Sequence, residues 1–248
     1  MGADRMRPSR DKLRTDGRLL VSYPKSGRTW IRYAAAQFGI DLTVTHAGSS
    51  TDRRELGNLF SGIPGRLEAS PKIFLHRNPI DTAVSMYFQV HRRDFRPLSG
   101  RWLRMLPKLY LRGALPPVDI DKFVLHPLYG MLEICEFNRT WVDHVSGRED
   151  CLLLEYEKMR SNPSSEFQKF LNFLDETGVT GNQLAEISTF ERMKQVAGKA
   201  GRPGILGSAN TSDPSSAKVR RGKVGGYLDE LKPDTVNLCR KIAIQYGF

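Results

Sequence analysis

The chain has 248 residues, of which 40% are hydrophobic and 9% aromatic, and its formal net charge is +11. This length suits one α/β domain with a sizeable core, and the composition excludes a disordered chain. The surplus of positive charge favours an anionic ligand, a nucleic acid or an acidic membrane surface as partner, and it disfavours a cationic one.

The first predicted elements are a short buried strand over residues 18–22 and a helix over residues 30–38, joined by a tight turn around Gly27. A strand that turns sharply into a helix directs the free N–H groups and the positive dipole end of the helix at one point. The turn adds further donors for an anion there: Lys25, Ser26 and Thr29. The segment therefore predicts a phosphate site. It is not a Walker A loop, because Lys25 precedes the glycine and the G-x-x-x-x-G-K-[ST] pattern does not occur.

The next predicted strand covers residues 72–76 and ends at Arg77. Asn78 is suited to cap the helix that follows, Pro79 suits its first position, and Asp81 favours its first turn. The helix itself is predicted to continue over residues 82–93. This junction places an arginine at the end of a strand, next to a helix N-terminus.

Three more elements complete the predicted core. A long helix over residues 128–145 has an apolar face that includes Leu132, a third strand covers residues 151–156, and Asn162-Pro163 opens another helix. Strands separated by helices predict an α/β fold in a single domain, with a mostly parallel central sheet flanked by helices. Ligands of such sheets bind beyond the carboxyl ends of the strands, where the Lys25 turn and Arg77 both lie.

Three further segments are predicted: a flexible N-terminal segment over residues 1–17, an acceptor-side lid over residues 92–126, and a flexible loop over residues 198–218. The loop is predicted because ten of the nineteen residues from 198 to 216 are Gly, Ser or Pro. It leads into a basic cluster around glycines, in which backbone and side chains can close together on an anion: Arg220, Arg221, Gly222 and Lys223.

The cysteines and histidines give no metal-binding pattern. Cys135, Cys151 and Cys239 are widely spaced and form no C-x-x-C pair, which predicts free thiols in a reducing compartment. The histidines and carboxylates also lack the spacing of metal ligands, so no metal is expected. No apolar run reaches membrane-spanning length, and the charged first 18 residues lack the apolar stretch of a secretory signal, so a cytoplasmic protein is predicted.

The three anion-binding segments resemble those of the sulfotransferases that use 3′-phosphoadenosine-5′-phosphosulfate (PAPS). The 5′-phosphosulfate loop of that family resembles residues 23–30, its 3′-phosphate motif resembles residues 77–87, and its C-terminal motif resembles residues 220–227. Three matches in the order of the family, spread over nearly the whole chain, make the resemblance specific. It implies one sulfotransferase domain over residues 1–248, with a P-loop-kinase-like sulfotransferase fold, PAPS as donor and no metal.

The resemblance also implies a role for each site residue. Lys25 would lie at the oxygen that bridges the phosphate and the sulfuryl group, where a cation stabilises the charge on the leaving group. The residues implied at the 5′-phosphate are Ser26, Gly27, Arg28 and Thr29, and those at the 3′-phosphate are Arg77, Ser85, Arg220, Arg221 and Gly222. Ser85 would also restrain Lys25 until the acceptor binds. The aromatic residues implied at the adenine are Trp30, Tyr156 and Phe190, for which core packing is the alternative.

Transfer to a hydroxyl needs a base, and the pKa of histidine suits that role. The base of the family lies between its first two motifs, where this chain has His46 and His76. His76 lies inside a strand and is expected to pack, whereas His46 opens a polar loop, so His46 is the predicted base. At three positions the chain departs from the pattern of the family, which has Thr where Arg28 stands, Asp where Gly226 stands and Trp where Tyr227 stands. These differences predict a divergent, bacterial branch.

The acceptor is predicted to be a hydroxyl of a carbohydrate, a glycolipid or a small-molecule alcohol, because residues 92–112 mix cations with aromatic side chains. For this run itself, an amphipathic lid that packs on the core is preferred to a cleft for a sugar hydroxyl. Peripheral contact with a membrane is compatible with the charge, binding of nucleic acid is not expected, and the oligomeric state is left open.

Three other functions stay open. A nucleotide kinase would share the sheet, yet it needs Mg²⁺ and a Walker-type loop. A basic nucleic-acid-binding module would explain the charge, yet it would not explain why cations cluster at strand–helix junctions. A sulfotransferase-like protein that binds the nucleotide without turnover is the third.

Overall fold

A parallel β-sheet forms the centre of the protein in a computed structural model, which describes residues 17–46, 49, 62–91, 115–198, 205–206 and 222–248. Within these residues the sheet has four strands: β1 (Leu19–Ser22), β2 (Thr43–Thr45), β3 (Lys72–His76) and β4 (Cys151–Glu155). Their order across the sheet is β2-β1-β3-β4, and every neighbouring pair is parallel. The predicted α/β fold with a parallel sheet is therefore confirmed.

Helices cover both faces of this sheet. In chain order they are α1 (Arg28–Gln37), α2 (Gly65–Glu68), α3 (Pro79–Gln89), α4 (Ile120–Val124), α5 (Met131–Val145), α6 (Tyr156–Ser161), α7 (Pro163–Phe173), α8 (Gly181–Ile187), α9 (Phe190–Gly198) and α10 (Pro233–Gln245). A 3₁₀ turn, Gly226–Asp229, precedes α10. No helix in the described part of the chain is long and apolar enough to cross a membrane.

The strands divide the core into two apolar layers because successive side chains point to opposite faces of a sheet. One layer joins Leu20, Ile73 and Leu154 to helices α1, α7 and α8. The other joins Val21 and Phe74 to helices α3, α5 and α10. The two central strands, β1 and β3, are buried on both faces, which explains the short, almost wholly apolar runs by which the sequence predicts them.

The order of the strands creates a crevice at the carboxyl end of β1. The chain leaves β1 through α1 to reach β2 on one side, and it leaves β3 to reach β4 on the other side. Connections that depart to opposite sides leave such an opening, which is where ligands of open α/β sheets bind. The register pairs Ser22 with Leu75 and His76 with Glu155, so the segments that follow these three strands meet at one edge.

Some local predictions are wrong in their bounds. The long helix begins at Met131 and not at residue 128, because the backbone of Gly130 is extended, with a φ of −100° and a ψ of −155°. Leu132, predicted on the apolar face, is 43% exposed. The third predicted strand ends at Glu155, and Tyr156 begins α6.

The predicted N-terminal segment, lid and loop are described only in part. Residues 1–16 and 92–114 lie outside the described residues, as does most of the predicted loop over 198–218. Leu206, inside that loop, is 5% exposed and belongs to the core layer of α1. The three cysteines are free thiols, as predicted.

Candidate active site

The turn between β1 and α1 forms the base of the site. Lys25 has a φ of 74° and Gly27 a φ of 101°, so both adopt the left-handed region. A Cβ on Gly27 would lie 2.5 Å from the ring of Tyr156, so glycine is required for the ring to pack on the turn. Lys25 has no such freedom, and a left-handed residue other than glycine persists only where the surrounding structure holds it.

The N-terminus of α1 fits an anion. No side chain caps it and its first turn contains no acidic residue. Ser26 is fully buried, and its Oγ has no hydrogen-bond partner. A buried hydroxyl without a partner costs about 1–3 kcal/mol, which a bound anion would offset by accepting its hydrogen bond. Together with the first N–H groups of α1, in the turn that contains Arg28 and Thr29, this hydroxyl fits a phosphate group.

Arg77 connects the segments that the sequence predicts to bind phosphate. One guanidinium nitrogen donates to the Lys25 carbonyl oxygen at 3.3 Å, and the other donates to the Lys223 carbonyl oxygen at 3.2 Å. The guanidinium carbon lies 4.6 Å from the centroid of the Tyr156 ring, within cation–π range. Its Nε is buried without a partner, so one strong donor stays available in the middle of the site.

The position of Arg77 is fixed by the cap of α3. The Asn78 side chain accepts from the N–H groups of Ile80 and Asp81, and Pro79 occupies the first turn, which confirms the predicted cap. The Asn78 N–H donates to the Glu157 carboxylate at 3.0 Å. Burial raises the pKa of Glu157, while this hydrogen bond opposes the rise. The Asn78 cap and its hydrogen bond to Glu157 therefore fix the backbone next to Arg77.

Asp81 binds the C-terminal segment, a contact that the sequence analysis missed. Its carboxylate is 3% exposed and accepts from the N–H of Gly225 at 2.8 Å and from the N–H of Tyr227 at 3.2 Å. The pattern of α3 assigns Asp81 only a place in a helical first turn. No local signal in the sequence indicates a partner 144 residues away.

His46 lies beside the turn, at the end of β2. Its Nδ1 is 2.6 Å from the Ser22 carbonyl oxygen, and because a carbonyl only accepts, Nδ1 carries the proton. Burial lowers the pKa of His46 to about 3; nearby Arg28 adds to the lowering, and the hydrogen bond to Ser22 opposes it. The imidazole is therefore neutral at pH 7, with the lone pair on Nε2. Burial, and then Arg32, lower the pKa of Arg28 to about 10, so Arg28 keeps its charge at pH 7.

The three aromatic residues predicted at the adenine all make packing contacts. The Trp30 indole N–H donates to Ser188 Oγ at 2.8 Å, and its ring meets the Tyr156 ring edge-on at 6.0 Å between centroids. Phe190 packs on Gly222, where a Cβ would lie 2.8 Å from the ring. Tyr156 packs on Gly27 in the turn after β1, and Phe190 packs on the C-terminal segment at Gly222. Their contact with adenine stays a prediction.

Ser85 lies on α3, one turn beyond Asp81 and on the same face of the helix. It is half-buried. Arg220 and Arg221 lie outside the described residues, whereas Gly222 is described and left-handed, with a φ of 61°. His76 packs between the rings of Phe74 and Phe248, as predicted. Among the described residues, no group of three or more His, Cys, Asp or Glu side chains is arranged to hold a metal ion.

Comparison with known sequences matches the chain to sulfotransferases. A family model described as a sulfotransferase domain matches residues 67–245, a range that includes Arg77, Ser85 and the Gly222–Tyr227 segment. Sulfotransferase 1B1 of Mus musculus is 26% identical over 216 residues, which cover 71% of this chain and 65% of the mouse protein. Cytosolic sulfotransferase 14 of Arabidopsis thaliana is 24% identical over 172 residues, which cover 66% of this chain and 44% of that protein. The chain thus matches less than two thirds of the length of these two relatives.

Solved structures agree in fold. A mouse sulfotransferase complexed with PAP superposes with a TM-score of 0.59 at 21% identity, covering 93% of this chain and 84% of that one. Retinol dehydratase in complex with androsterone and the inactive cofactor PAP gives a TM-score of 0.55 at 17% identity, covering 95% and 81% of the two chains. Because the family model spans most of the chain and the fold agrees with it, the chain belongs to the sulfotransferase domain family.

Proposed function

We propose that the protein transfers a sulfuryl group from PAPS to the hydroxyl of an acceptor. The observation that carries the proposal is the meeting of chain-distant anion elements at one edge of the sheet. Arg77 contacts the first turn through the Lys25 carbonyl and the C-terminal segment through the Lys223 carbonyl. A ligand with one phosphate would need only one helix N-terminus. A ligand with two separated phosphates would contact both the Lys25 turn and the C-terminal segment, which Arg77 joins.

The donor fits the chemistry of these residues. The 5′ side is assigned to the N-terminus of α1, with Ser26, Gly27, Arg28, Thr29 and Lys25. The 3′ side is assigned to Arg77, Ser85 and Gly222, together with Arg220 and Arg221, which lie outside the described residues. PAPS supplies the activated sulfuryl group and leaves as 3′,5′-adenosine bisphosphate (PAP). We expect no divalent metal to be needed, since the arginines and Lys25 neutralise the phosphate charges.

Lys25 is assigned to the leaving group. When the sulfur–oxygen bond breaks, negative charge grows on the oxygen that stays with the phosphate, and an ammonium group fixed beside that oxygen stabilises it. The left-handed backbone of Lys25 and the Arg77 contact to its carbonyl hold the residue in the turn. Ser85 is assigned the restraint of Lys25 before the acceptor binds.

His46 is assigned as the base. Its Nδ1–H donates to the Ser22 carbonyl, so the imidazole presents its Nε2 lone pair to the proton of the acceptor hydroxyl. As the acceptor oxygen bonds to sulfur, its proton passes to Nε2 and the bond on the opposite side of sulfur breaks, in line. A neutral imidazole at pH 7 is the form that this step requires.

The acceptor class is proposed as a carbohydrate, a glycolipid or a small-molecule alcohol. Retinol dehydratase structures contain androsterone or retinol together with PAP, so steroid and isoprenoid alcohols belong in the panel of candidates. Turnover on saccharides and glycolipids should be compared with turnover on these alcohols and on simple phenols. Activity on simple phenols alone would contradict the proposed acceptor class. A cytoplasmic location and contact with a membrane stay predictions.

Calorimetry tests the donor assignment directly. PAP should bind at least about tenfold more tightly than adenosine 5′-phosphate, because only PAP reaches the 3′ side of Arg77. ATP with Mg²⁺ should bind more weakly than PAP. Tighter binding of ATP with Mg²⁺ would favour a nucleotide kinase, and salt-sensitive binding of RNA or DNA without PAP binding would favour a nucleic-acid-binding protein. Tight PAP binding with no transfer to any acceptor would indicate a protein that binds the nucleotide without turnover.

A further inference from the structure

We propose that Asp81 is the positioning residue that builds the 3′-phosphate half of the donor site, because it holds the Gly222–Tyr227 segment against α3. The proposal rests on the proposed function, since it assigns that segment to the 3′-phosphate. It gives Asp81 a task beyond its place in the first turn of α3. Asp81 does not touch the donor in this proposal; it acts through the segment and through Arg77.

The contacts of Asp81 all converge on phosphate-binding elements. One carboxylate oxygen accepts from the Gly225 N–H at 2.8 Å and lies 3.5 Å from the Arg77 guanidinium. The other oxygen accepts from the Tyr227 N–H at 3.2 Å. A single buried carboxylate thus binds both the arginine and the glycine-rich segment of the 3′ side.

The Gly222–Tyr227 segment depends strongly on hydrogen bonds to its backbone, beside the Lys223–Asp229 ion pair and the packing of Phe190 on Gly222. Gly222 and Gly225 are both left-handed, with φ values of 61° and 73°, so the backbone turns twice within four residues. Glycine gives this path no side chain to pack, which makes hydrogen bonds to its backbone important. Arg77 holds the segment at the Lys223 carbonyl, and Asp81 holds the next turn at Gly225 and Tyr227.

The charge of Asp81 allows a test, because electrostatic repulsion and positioning predict opposite changes in the affinity for PAP. A buried carboxylate close to a phosphate site repels the ligand, so removing its charge should tighten anion binding if simple electrostatics governed the site. If Asp81 instead positions the segment, removing its charge should weaken binding. Asn at this position would also present an NH₂ group to one of the two backbone N–H donors, which breaks that hydrogen bond.

The test compares two ligands on Asp81→Asn by calorimetry. The Kd for PAP should rise roughly 10- to 100-fold, which corresponds to the loss of charge-assisted hydrogen bonds. The Kd for adenosine 5′-phosphate, which lacks the 3′-phosphate, should stay within about twofold. A merely structural loss would weaken both ligands together. In steady-state kinetics the same selectivity should appear as a raised KM for PAPS with an unchanged KM for the acceptor.

Asp121→Asn is the matched control. Asp121 also accepts a backbone N–H near the C-terminus, from Lys232 at 3.0 Å, but this contact lies after the Gly222–Tyr227 segment. Asp121→Asn should leave the Kd of both ligands within about twofold. Hydrogen exchange supplies a measurement without ligand: the Gly225 and Tyr227 amides should lose protection in Asp81→Asn, while the amides of β1 and β3 keep theirs.

A second variant leaves Asp81 in place. Tyr227→Pro removes one donor N–H at a position in a 3₁₀ turn, and Tyr227→Ala controls for loss of the side chain. Tyr227→Pro should bind PAP at least roughly threefold more weakly than Tyr227→Ala does.

The outcomes separate the inference from the proposed function. PAP binding that is unchanged or tighter in Asp81→Asn, or equal losses for PAP and adenosine 5′-phosphate, would overturn the inference while the function stands. Failure of the unaltered protein to bind PAP would overturn the function, and with it the assignment of the segment. Equal PAP affinity in Tyr227→Pro and Tyr227→Ala would also overturn the inference, even if Asp81→Asn failed to fold.

Discussion

The two edges of the sheet both contain buried basic groups, yet they differ in what those groups bind. At the amino edge, Lys72 is fully buried, and its Nζ donates to the Glu68 carbonyl oxygen at 3.2 Å and lies 3.3 Å from His144 Nε2. Arg148 donates twice to the Asp150 carboxylate, at 2.9 Å and 2.7 Å. Burial lowers the pKa of Lys72, but its donors have partners within the fold.

At the carboxyl edge, strong donors are buried without such partners. Ser26 Oγ and Arg77 Nε make no hydrogen bond, and the N-terminus of α1 has no side-chain cap. An open depression of about 400 Å³ lies at the amino edge, between His144, Arg148 and Ile63, so open space alone does not mark the candidate site. The basic groups and the turn donors do: Lys72 and Arg148 are paired, whereas Ser26 Oγ and Arg77 Nε are not, and a fold retains such a cost where a ligand offsets it.

The largest effect is expected at Lys25. Lys25→Ala should lower kcat by roughly 10²- to 10³-fold, because the charge that grows on the leaving oxygen loses its cation. Sulfuryl transfer measured with PAPS in excess would show this. Thermal unfolding should stay close to that of the unaltered protein, and the exposed Lys241→Ala serves as the control. A rate like that of the unaltered protein for Lys25→Ala would refute the mechanism.

The next effect compares one arginine from each edge. Arg77→Ala should raise the Kd for PAP roughly 10- to 100-fold, because it removes a charged donor and two contacts between segments. Arg148→Ala should leave that Kd within about twofold, since Arg148 binds Asp150 and not the site. Calorimetry on both variants measures the difference. Equal losses of affinity would remove the distinction between the edges.

A smaller effect compares two fully buried serines. Ser26→Ala should weaken PAP binding by roughly 3- to 30-fold and yet raise the free energy of unfolding without ligand by up to about 1 kcal/mol, because it deletes an unpaired hydroxyl. Ser188 Oγ accepts from Trp30 and donates to the Leu184 carbonyl, so Ser188→Ala should lower stability by about 1–3 kcal/mol. Urea unfolding of both variants measures whether the free energy of unfolding rises in Ser26→Ala and falls in Ser188→Ala. Loss of stability in Ser26→Ala would show that its hydroxyl is already satisfied.

The smallest effect is the pH dependence of His46. Burial, then Arg28, hold its folded pKa at about 3, below the value of about 6.5 in an unfolded chain. Between these values the unfolded state binds more protons, so His46 lowers stability as the pH falls from about 6.5 toward 3. His46→Gln should therefore lose less stability than the unaltered protein between pH 7.5 and 5.

The control for His46→Gln is the stability of the two proteins at higher pH. Above about pH 7.5 the imidazole is neutral in both states, so the difference between the two proteins should stay constant there. Parallel curves throughout would show that His46 is solvated. In kinetics, His46 should contribute no acidic limb near pH 6.5 to kcat/KM, since it is already neutral there.

Much of the local structure followed from short-range rules. The strand–turn–helix around Lys25, the strand that ends at Arg77 and the Asn78 cap with Pro79 depend on neighbours within four residues, and all are present. The helix after Asn162 also begins as predicted, with the Asn162 side chain accepting from the Ser165 N–H. The predicted start of the long helix was wrong because the apolar pattern of residues 128–145 does not record that Gly130 is extended.

Short-range patterns are enough to predict the candidate phosphate-binding residues and the strand ends at which they lie, because apolar runs, caps and glycines act through adjacent residues. Long-range packing is needed to bring these ends to one edge, to let Arg77 connect two of the segments, and to let Asp81 hold a segment 144 residues away. Strand order, register and long-range hydrogen bonds arise when the two apolar layers pack. That packing minimises buried, unpaired polar groups over the whole chain, and no short stretch of sequence records its outcome.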